Sequence, residues 1–224
     1  MTDAPALLSL DDVAKTYPGG RPVLQGVTMR VAPGETVALT GESGSGKSTL
    51  LNLAGALDTA DAGEIAVDGV SLSGLDDAGR ARLRRERVAL VFQQFNLIPS
   101  MDVARNLSFH ARLAGREDPA WTREIGGRLG LDSHMAKYPE QLSGGQQQRV
   151  AIGRAMAGRP RLLLADEPTG NLDETASEAV LDLMLELVRE TGAGLLLVTH
   201  SAAIAGRLDR HLHLAHGRLA PVPA

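Results

Sequence analysis

Residues 41–49 read GESGSGKST and combine three glycines with a lysine and several hydroxyl side chains. Glycine permits backbone conformations with positive φ, so such a loop can turn successive N–H groups inward around phosphate oxygens. Lys47 adds a full positive charge for the outer phosphates of a nucleotide, and the hydroxyl of Ser48 suits a Mg²⁺ ion. The pattern predicts a phosphate-binding loop made of Gly41, Glu42, Ser43, Gly44, Ser45, Gly46, Lys47, Ser48 and Thr49.

A pair of carboxylates, Asp166 and Glu167, follows the apolar run at 162–165. Ligands of parallel sheets gather at the carboxyl ends of the strands, so we expect this pair to face the phosphate loop. Asp166 is then placed to hold Mg²⁺ through water, and Glu167 to orient or deprotonate an attacking water. Acidic pairs after strands are often simply solvated, and it is the phosphate loop that favours catalysis here.

The elements that must position these groups alternate between strand and helix patterns. The sequence predicts helices at 48–57 and 176–189, and strands at 7–15, 23–31, 35–40, 65–70, 88–92, 162–165 and 195–199. Continuous apolar runs such as the last two are typical of parallel strands that are buried on both faces. Between 95 and 158 helical patterns replace the strand patterns. We therefore predict an α/β fold with an inserted helical lobe.

Composition limits the classes of function. A chain of 224 residues with 43% hydrophobic content is long enough for about one domain. A net charge of -4 and an aromatic content of 3% give no reason to expect nucleic acid as a partner. The absence of cysteine excludes disulfides and thiolate metal sites. No apolar stretch approaches the roughly 18 to 20 residues of a membrane span, so the chain is predicted to be soluble.

Five short motifs follow one another along the chain. They are the GESGSGKST loop, Gln93 after the strand at 88–92, LSGGQ at 142–146, ADEPTGNLD at 165–173 and His200 after LLLVT. Together they resemble the nucleotide-binding subunits of ATP-binding-cassette (ABC) transporters over nearly the whole chain. The resemblance implies a P-loop NTPase cassette, in which a RecA-like and mainly parallel sheet carries an N-terminal antiparallel β subdomain and an inserted helical subdomain. The single domain 1–224 is predicted to divide into a core at about 1–94 and 159–224 and a helical subdomain at about 95–158.

The resemblance also implies an ATP site that two copies of the chain share. ATP would lie between the phosphate loop of one copy and the LSGGQ motif of the other, where Ser143 and the N–H groups of Gly144 and Gly145 meet the γ-phosphate. The sequence agrees locally, because Ser143 is a good N-cap for the helical pattern that follows it. The other ATP-contacting residues implied in this way are Gln146, Asp173 and Tyr17, whose ring would stack on adenine.

The resemblance assigns catalysis to three residues, which are Glu167, His200 and Gln93. His200 resembles the switch histidine that contacts the γ-phosphate, and Gln93 resembles the glutamine that joins Ser48 and Asp166 as a metal ligand. Two alternatives stay open. The adjacent Gln94 could take the place of Gln93, and Tyr17 could be an ordinary surface residue at the end of a strand.

The stretches VFQQFNLIPSMDVARNL, LSGGQQQRVAIGRA and DEPTGNLD narrow the resemblance to ATPases of the macrolide-export and lipoprotein-release type. Such a subunit uses ATP and Mg²⁺ and lies on the cytoplasmic face of the bacterial inner membrane. Its implied partners are a second copy of itself and a separate integral-membrane permease; a periplasmic adaptor, reached through the permease, is a further candidate. Phe95, Leu97 and Ile98 are candidates for an apolar surface that docks the permease, with core packing as the alternative.

Several competing interpretations can be weighed against the residues. A related cell-division ATPase, which regulates cell-wall hydrolysis through a membrane partner, shares much of the pattern and is the main alternative. Genome-maintenance ATPases insert a long coiled coil, for which 95–141 is too short. A non-catalytic scaffold is disfavoured by Glu167 and His200. The spacing of His211, His213 and His216 makes a metal site conceivable, although no cysteine and no carboxylate except Asp209 accompanies them.

Overall fold

The computed structural model describes residues 6–222, so residues 1–5 and 223–224 of the predicted domain lie outside the described residues. The strands of this part of the chain are β1 (Leu8–Thr16), β2 (Pro22–Val31), β3 (Thr36–Thr40), β4 (Ala62–Val67), β5 (Val70–Ser71), β6 (Val88–Val91), β7 (Leu162–Asp166), β8 (Gly194–Val198), β9 (Arg210–Ala215) and β10 (Arg218–Ala220). The helices are α1 (Lys47–Ala54), α2 (Asp77–Glu86), α3 (Val103–Leu113), α4 (Pro119–Arg128), α5 (Gly144–Ala157), α6 (Glu174–Thr191) and α7 (Ala202–Ala205).

The strands form two sheets. An antiparallel sheet has the order β2-β1-β4-β5, and a six-stranded sheet has the order β10-β9-β3-β8-β7-β6. In the second sheet β3, β6, β7, β8 and β9 run parallel to their neighbours, and only β10 pairs in the antiparallel sense. Both the α/β class and the N-terminal antiparallel β subdomain predicted from the sequence are therefore confirmed.

The mixed sheet separates two apolar cores, because successive residues of a strand point to opposite faces. Leu195 and Leu197 of β8 join the core that contains the buried faces of α3, α5 and α6. Leu196 and Val198 of the same strand join the core that contains α1 and the antiparallel sheet. The continuous apolar runs in the sequence are explained by this burial on both faces.

The predicted elements differ from the observed ones in three places. The strand predicted at 65–70 is two short strands, because Asp68 and Gly69 take positive φ values of 49° and 76° and turn the chain between β4 and β5. The hairpin of β9 and β10 was not predicted, and His216 lies in its turn, not on a strand. Helix α7 was also not predicted, since four residues are too few to show helical periodicity.

Between residues 95 and 158 the chain forms α3, α4 and α5, which pack against one another around Leu107, Ile125 and Ile152. Asn106 of α3 is fully buried within this unit. Its side-chain amide donates to the carbonyl oxygens of Ile98, Met101 and Asp102, and its oxygen accepts from the Ile98 N–H at 2.9 Å. One side chain thus fixes the entry of the chain into the helical region.

Within residues 6–222, no helix combines the length and the apolar character that crossing a bilayer would require.

Candidate nucleotide site

The phosphate loop connects the buried strand β3 to α1, at the carboxyl edge of the mixed sheet. Its last residue before the helix is Gly46, which has a φ of 107°. The N-terminal N–H groups and the positive end of the dipole of α1 therefore follow directly on the loop, as anion binding requires.

Two glycines of the loop have no room for a side chain. A Cβ atom on Gly41 would lie 2.2 Å from the Leu214 carbonyl oxygen and 2.8 Å from Ser45 Oγ, and a Cβ on Gly46 would lie 2.9 Å from the Val23 carbonyl oxygen. Both residues also have positive φ. Packing as well as backbone conformation thus requires glycine at these two positions.

Lys47 lies across the loop and is only 6% exposed. Its ammonium donates to the carbonyl oxygens of Gly41 and Glu42, each at 2.8 Å. Burial lowers the pKa of Lys47, while the carboxylates of Glu167 and Asp166 act to raise it. The charge of Lys47 and the two acidic groups consequently interact electrostatically, as expected for groups at the carboxyl ends of parallel strands.

Glu167 follows directly on β7 and has a φ of 45°, which is rare for a residue with a side chain. Its N–H donates to the Val198 carbonyl and its carbonyl accepts from the Gly170 N–H, both at 3.0 Å, so the turn is fixed on both sides. The Nε2 atom of His200 lies 2.9 Å from Glu167 Oε1. The carboxylate is a quarter exposed and the imidazole about half exposed, so both are accessible to a ligand.

Gln93 is tied to the loop that follows Glu167. Its Nε2 donates to Asn171 Oδ1 at 3.3 Å, and Asn171 Nδ2 donates to the Gln93 carbonyl at 2.9 Å. A Cβ atom on Gly170 would lie 3.0 Å from Gln93 Nε2 and 3.4 Å from Glu167 Oε2, which places the amide beside the acidic group. These contacts place Gln93 beside Glu167, and the choice of Gln93 over Gln94 as a metal ligand stays a prediction.

Tyr17 is 39% exposed and lies beside Thr49 of the phosphate loop. Its hydroxyl donates to Asp58 Oδ2 at 2.7 Å, and this hydrogen bond raises the pKa of Tyr17. The ammonium of Lys15 lies 3.1 Å from Asp58 Oδ1 and 5.1 Å from the centre of the Tyr17 ring. Asp58 and Lys15, which the sequence did not single out, hold the ring in place.

The LSGGQ motif begins α5. Ser143 Oγ accepts from the Gln146 N–H, and Gln146 Oε1 accepts from the Ser143 N–H at 2.9 Å, so the two residues form a capping box. Gln146 also contacts His134 through Nε2. Within residues 6–222 no hydrogen bond joins Ser143, Gly144, Gly145 or Gln146 to the phosphate loop of the same chain.

Asp173 is the N-cap of α6, where its Oδ1 accepts from the Ala176 N–H at 2.9 Å. It stands at the end of the segment that begins with Asp166. Leu172, one residue earlier, lies near Gly145, because a Cβ atom on that glycine would be 3.8 Å from Leu172 Cδ2. The residues after the acidic pair, at 168–173, thus lead from Glu167 to the neighbourhood of the LSGGQ motif.

The three C-terminal histidines form no metal site. His211 Nε2 and His213 Nδ1 lie 2.7 Å and 3.1 Å from the hydroxyl of Thr40, at the end of β3, and His216 stands apart in the turn. Among the residues that the structure describes, no group of three or more histidine, aspartate or glutamate side chains could hold a metal ion. His211 and His213 therefore hold the end of β3, the strand that leads into the phosphate loop, through the Thr40 hydroxyl.

Comparison with known proteins gives a consistent picture. The ABC transporter family model matches residues 24–170. The lipoprotein-releasing system ATP-binding protein LolD of Roseobacter denitrificans is 43% identical over 223 residues, which cover 96% of this chain and 98% of LolD. The methionine import ATP-binding protein MetN of Caulobacter vibrioides is 46% identical over 218 residues, but these cover only 65% of MetN.

A solved structure agrees with these relatives. The dimeric, post-hydrolysis state of the ATP-binding cassette MJ0796 bound to ADP and Pi superposes with a TM-score of 0.87 at 37% identity, covering 95% of this chain and 96% of that one. The resemblance inferred from the five motifs is confirmed. The chain belongs to the ABC transporter family, and within that family it is an ATP-binding subunit.

Proposed function

We propose that this chain is the ATP-hydrolysing subunit of a lipoprotein-releasing transporter and that it works as a pair. The main support for ATP hydrolysis is the contact between His200 and Glu167. The carboxylate of Glu167 also interacts electrostatically with the buried Lys47. The cargo class rests on relatives named LolD, which match the chain nearly end to end, whereas MetN is matched over only 65% of its length. The same relatives favour a transporter over the cell-division alternative.

The reaction is the attack of a water oxygen on the γ-phosphorus of ATP, which breaks the bond to the bridging oxygen of the β-phosphate. Glu167 orients the water and accepts its proton. His200 keeps the carboxylate aimed by donating from Nε2 to Oε1. Lys47 supplies the positive charge for the outer phosphates, and the N–H groups of the loop bind their oxygens.

The donor set fits a Mg²⁺ ion. Ser48 offers a hydroxyl at the start of α1, Asp166 a carboxylate at the end of β7, and Gln93 an amide oxygen. Since the Nε2 of Gln93 is engaged by Asn171, its Oε1 is the atom left for a cation. All three are hard oxygen ligands of the kind Mg²⁺ prefers, and the bound ion would neutralise charge on the β and γ phosphates.

The composite site of two copies follows from the position of the LSGGQ motif. Its polar groups make no hydrogen bond to the phosphate loop of the same chain in residues 6–222, although Ser143 and the first N–H groups of α5 are suited to an anion. The dimeric MJ0796 cassette supports a pair as the working unit. We propose that the residues of this second ATP-contacting surface are Ser143, Gly144, Gly145, Gln146 and Asp173. The exposed ring of Tyr17 is proposed to stack on the adenine base.

Replacement of Glu167 by Gln tests the catalytic assignment. We expect ATP binding to be retained, phosphate release to fall by about 10²- to 10⁴-fold, and an ATP-bound dimer to accumulate. Phosphate release and sedimentation with ATP measure these effects. Glu124→Gln, the same change at an exposed position of α4, should leave turnover as in the wild type. Normal turnover in Glu167→Gln would exclude this residue as the base.

A groove of about 490 Å³ between α2, β6 and α3 is the proposed docking site for the permease. Two of the most exposed apolar side chains of the described residues, Leu57 and Leu113, lie on its rim. Of the candidates from the sequence only Ile98 lines it; Leu97 packs on the core and Phe95 lies over the start of α5.

The charge of the groove defines the segment that fits it. Arg84, Arg85, Arg87 and Arg154 line it. Arg87 is paired with Asp68, and the exposed Arg85 contacts Glu86, the one acidic residue of the lining. His110 adds no charge at neutral pH, because burial and Arg154 lower its pKa to about 4. The matching permease segment is therefore an amphipathic helix that carries carboxylates beside its apolar face.

Reversal of charge at the groove tests this docking site. We expect Arg85→Glu to reduce recovery of the membrane partner from detergent extracts, while the ATPase activity of the isolated chain stays unchanged. Arg82→Glu is the matched control, because Arg82 is exposed on the same helix but does not line the groove. Equal recovery with both variants would place the permease elsewhere.

We further propose that the chain divides into a core at about 1–94 and 159–224 and a helical subdomain at about 95–158. The mutual packing of α3, α4 and α5 supports this division. The subunit would be held at the cytoplasmic face of the inner membrane by its permease. The LolD relatives and the docking groove support that location.

A further inference from the structure

Gln148, in the second turn of α5, is a buried amide that lacks partners. It is 0% exposed, and among residues 6–222 neither its Oε1 nor its Nε2 has a hydrogen-bond partner. Its neighbours differ: Gln147 donates to the Leu142 carbonyl, and Arg149 donates to the Leu129 carbonyl. A buried amide that can make several hydrogen bonds and makes none costs free energy, so its presence requires an explanation.

The geometry of α5 shows where this side chain lies. Gln148 follows Gly144 by four residues and Gly145 by three, so it shares a helix face with both. A Cβ atom on Gly144 would lie 3.6 Å from Phe95 Cζ, and a Cβ atom on Gly145 would lie 3.8 Å from Leu172 Cδ2. The face that carries Gln148 is therefore flanked by the chain around Phe95 on one side and around Leu172 on the other.

Both flanking segments belong to the nucleotide site. The first contains Gln93 and the second follows Glu167, and the two are joined by the paired hydrogen bonds between Gln93 and Asn171. The first segment is also held to α5 by Arg154, which donates to the carbonyl oxygens of Phe95 and Asn96. Gln148 thus lies where the LSGGQ helix meets the segment that begins with Gln93 and the segment that follows Glu167.

We propose that Gln148 is a positioning residue whose amide forms hydrogen bonds with the backbone of the segments at 93–97 and 169–172 when ATP draws two cassettes together. This inference rests on the proposed ATP-driven pairing. An amide that lacks partners in the single cassette and gains them in the pair favours pairing, because a ligand shifts an equilibrium only through a difference between the two states. Gln148 therefore makes the approach of the LSGGQ helix to the catalytic groups more favourable.

The experiment replaces Gln148 by Met, which has a similar shape and no hydrogen-bonding amide, and by Leu as a second apolar side chain. Each change is made in the full chain in the Glu167→Gln background, which blocks turnover. Two quantities are measured: the Tm without nucleotide, and the ATP concentration at which half of the protein sediments as a dimer. Gln147→Met, the same change at the neighbouring position, is the control.

We expect opposite effects on the two quantities. Removal of an unsatisfied amide should raise the Tm without nucleotide by about 2–4 °C, and loss of the hydrogen bonds of the closed state should raise the ATP requirement roughly tenfold. The control should show neither the higher Tm nor the higher ATP requirement. This combination separates a positioning role from a structural one. If Gln148 were only structural, its replacement would lower the Tm and weaken ATP-driven dimer formation together.

Two results would overturn the inference. A lower Tm or failure to fold in both Gln148 variants would show that the amide is already satisfied without nucleotide. An unchanged ATP requirement would show that closure does not use it. Failure of the proposed function looks different, because the Glu167→Gln protein with Gln148 intact would then form no dimer with ATP.

Discussion

At the scale of single residues, the carboxylate proposed as the catalytic base is positioned by its backbone as much as by its partner. A residue with a side chain at a φ of 45° is strained by roughly 1–3 kcal/mol, and it persists where the surroundings fix it. Here the hydrogen bonds to Val198 and Gly170 supply that constraint, and His200 then fixes the direction of the carboxylate. Glu167 is thus prepared for one position of the water before ATP arrives.

Loss of the imidazole at position 200 should separate binding from chemistry. We expect His200→Ala to lower the rate of phosphate release by about 10²-fold or more while leaving ATP affinity within a few-fold of the wild type, because Glu167 loses the group that orients it. His200→Gln retains a side-chain N–H donor and should recover part of the rate. Steady-state kinetics with equilibrium ATP binding measure both. Equal rates for the wild type and the alanine variant would contradict the orienting role.

The sequence predicted the roles of some of these residues and gave no sign of others. The rule that sites lie at the carboxyl ends of strands pointed to Glu167, because it follows an apolar run, whereas His200 was assigned through the resemblance to ABC ATPases. The contact of Tyr17 with Asp58 was missed, because it joins positions 41 apart through side chains alone. Arg154 was missed for a similar reason, since its periodicity on α5 reads as part of an ordinary helix face and gives no sign of the carbonyl groups it binds.

At the scale of elements, the entry into the helical region depends on Asn106. Its amide satisfies three carbonyl groups and one N–H of residues 98–102, so it replaces the regular hydrogen bonds that this irregular segment lacks. The same segment leads from Gln93 to the docking groove through Ile98. A single buried side chain therefore fixes part of the segment that runs from Gln93 past the groove.

Replacement of Asn106 by Asp keeps the shape but removes the donors. We expect the free energy of unfolding to fall by about 2–4 kcal/mol, because a carboxylate would face carbonyl oxygens in a buried place. Denaturation in urea measures the loss. Ser108→Ala, a neighbouring change on α3 with one weak hydrogen bond at 3.4 Å, should cost much less. Equal stability of the wild type and Asn106→Asp would show that the segment is held by other contacts.

Elements were predictable where local pattern and burial agreed. The strand β3, the glycine loop and α1 follow one another as the sequence indicated, because apolar residues, glycines and a helical run change at clear points. The two-strand turn at Asp68 and Gly69 was missed because an aspartate with positive φ resembles any polar strand residue. The hairpin of β9 and β10 was missed because its side chains are mixed, half-buried and rich in histidine.

At the scale of the whole molecule, the chain holds two half-sites that it does not join. The phosphate loop, Asp166, Glu167 and His200 form one half at the edge of the mixed sheet, and the start of α5 forms the other. Local contacts fix each half, the first through glycine packing and the second through the capping box of Ser143 and Gln146. The arrangement supports the proposal that a second copy completes the ATP site.

Ser143→Arg tests whether a second copy completes the ATP site. The arginine would project from the N-terminus of α5 into the space proposed for the partner's γ-phosphate, so ATP should no longer produce a dimer, while ATP binding to the monomer is retained. The loss of the N-cap alone costs about 1 kcal/mol, and Ser143→Ala measures that part. Ser100→Arg introduces the same side chain at an exposed position away from α5 and should dimerise normally. The comparison is made by sedimentation with ATP in the Glu167→Gln background, and a normal dimer with Ser143→Arg would contradict the shared site.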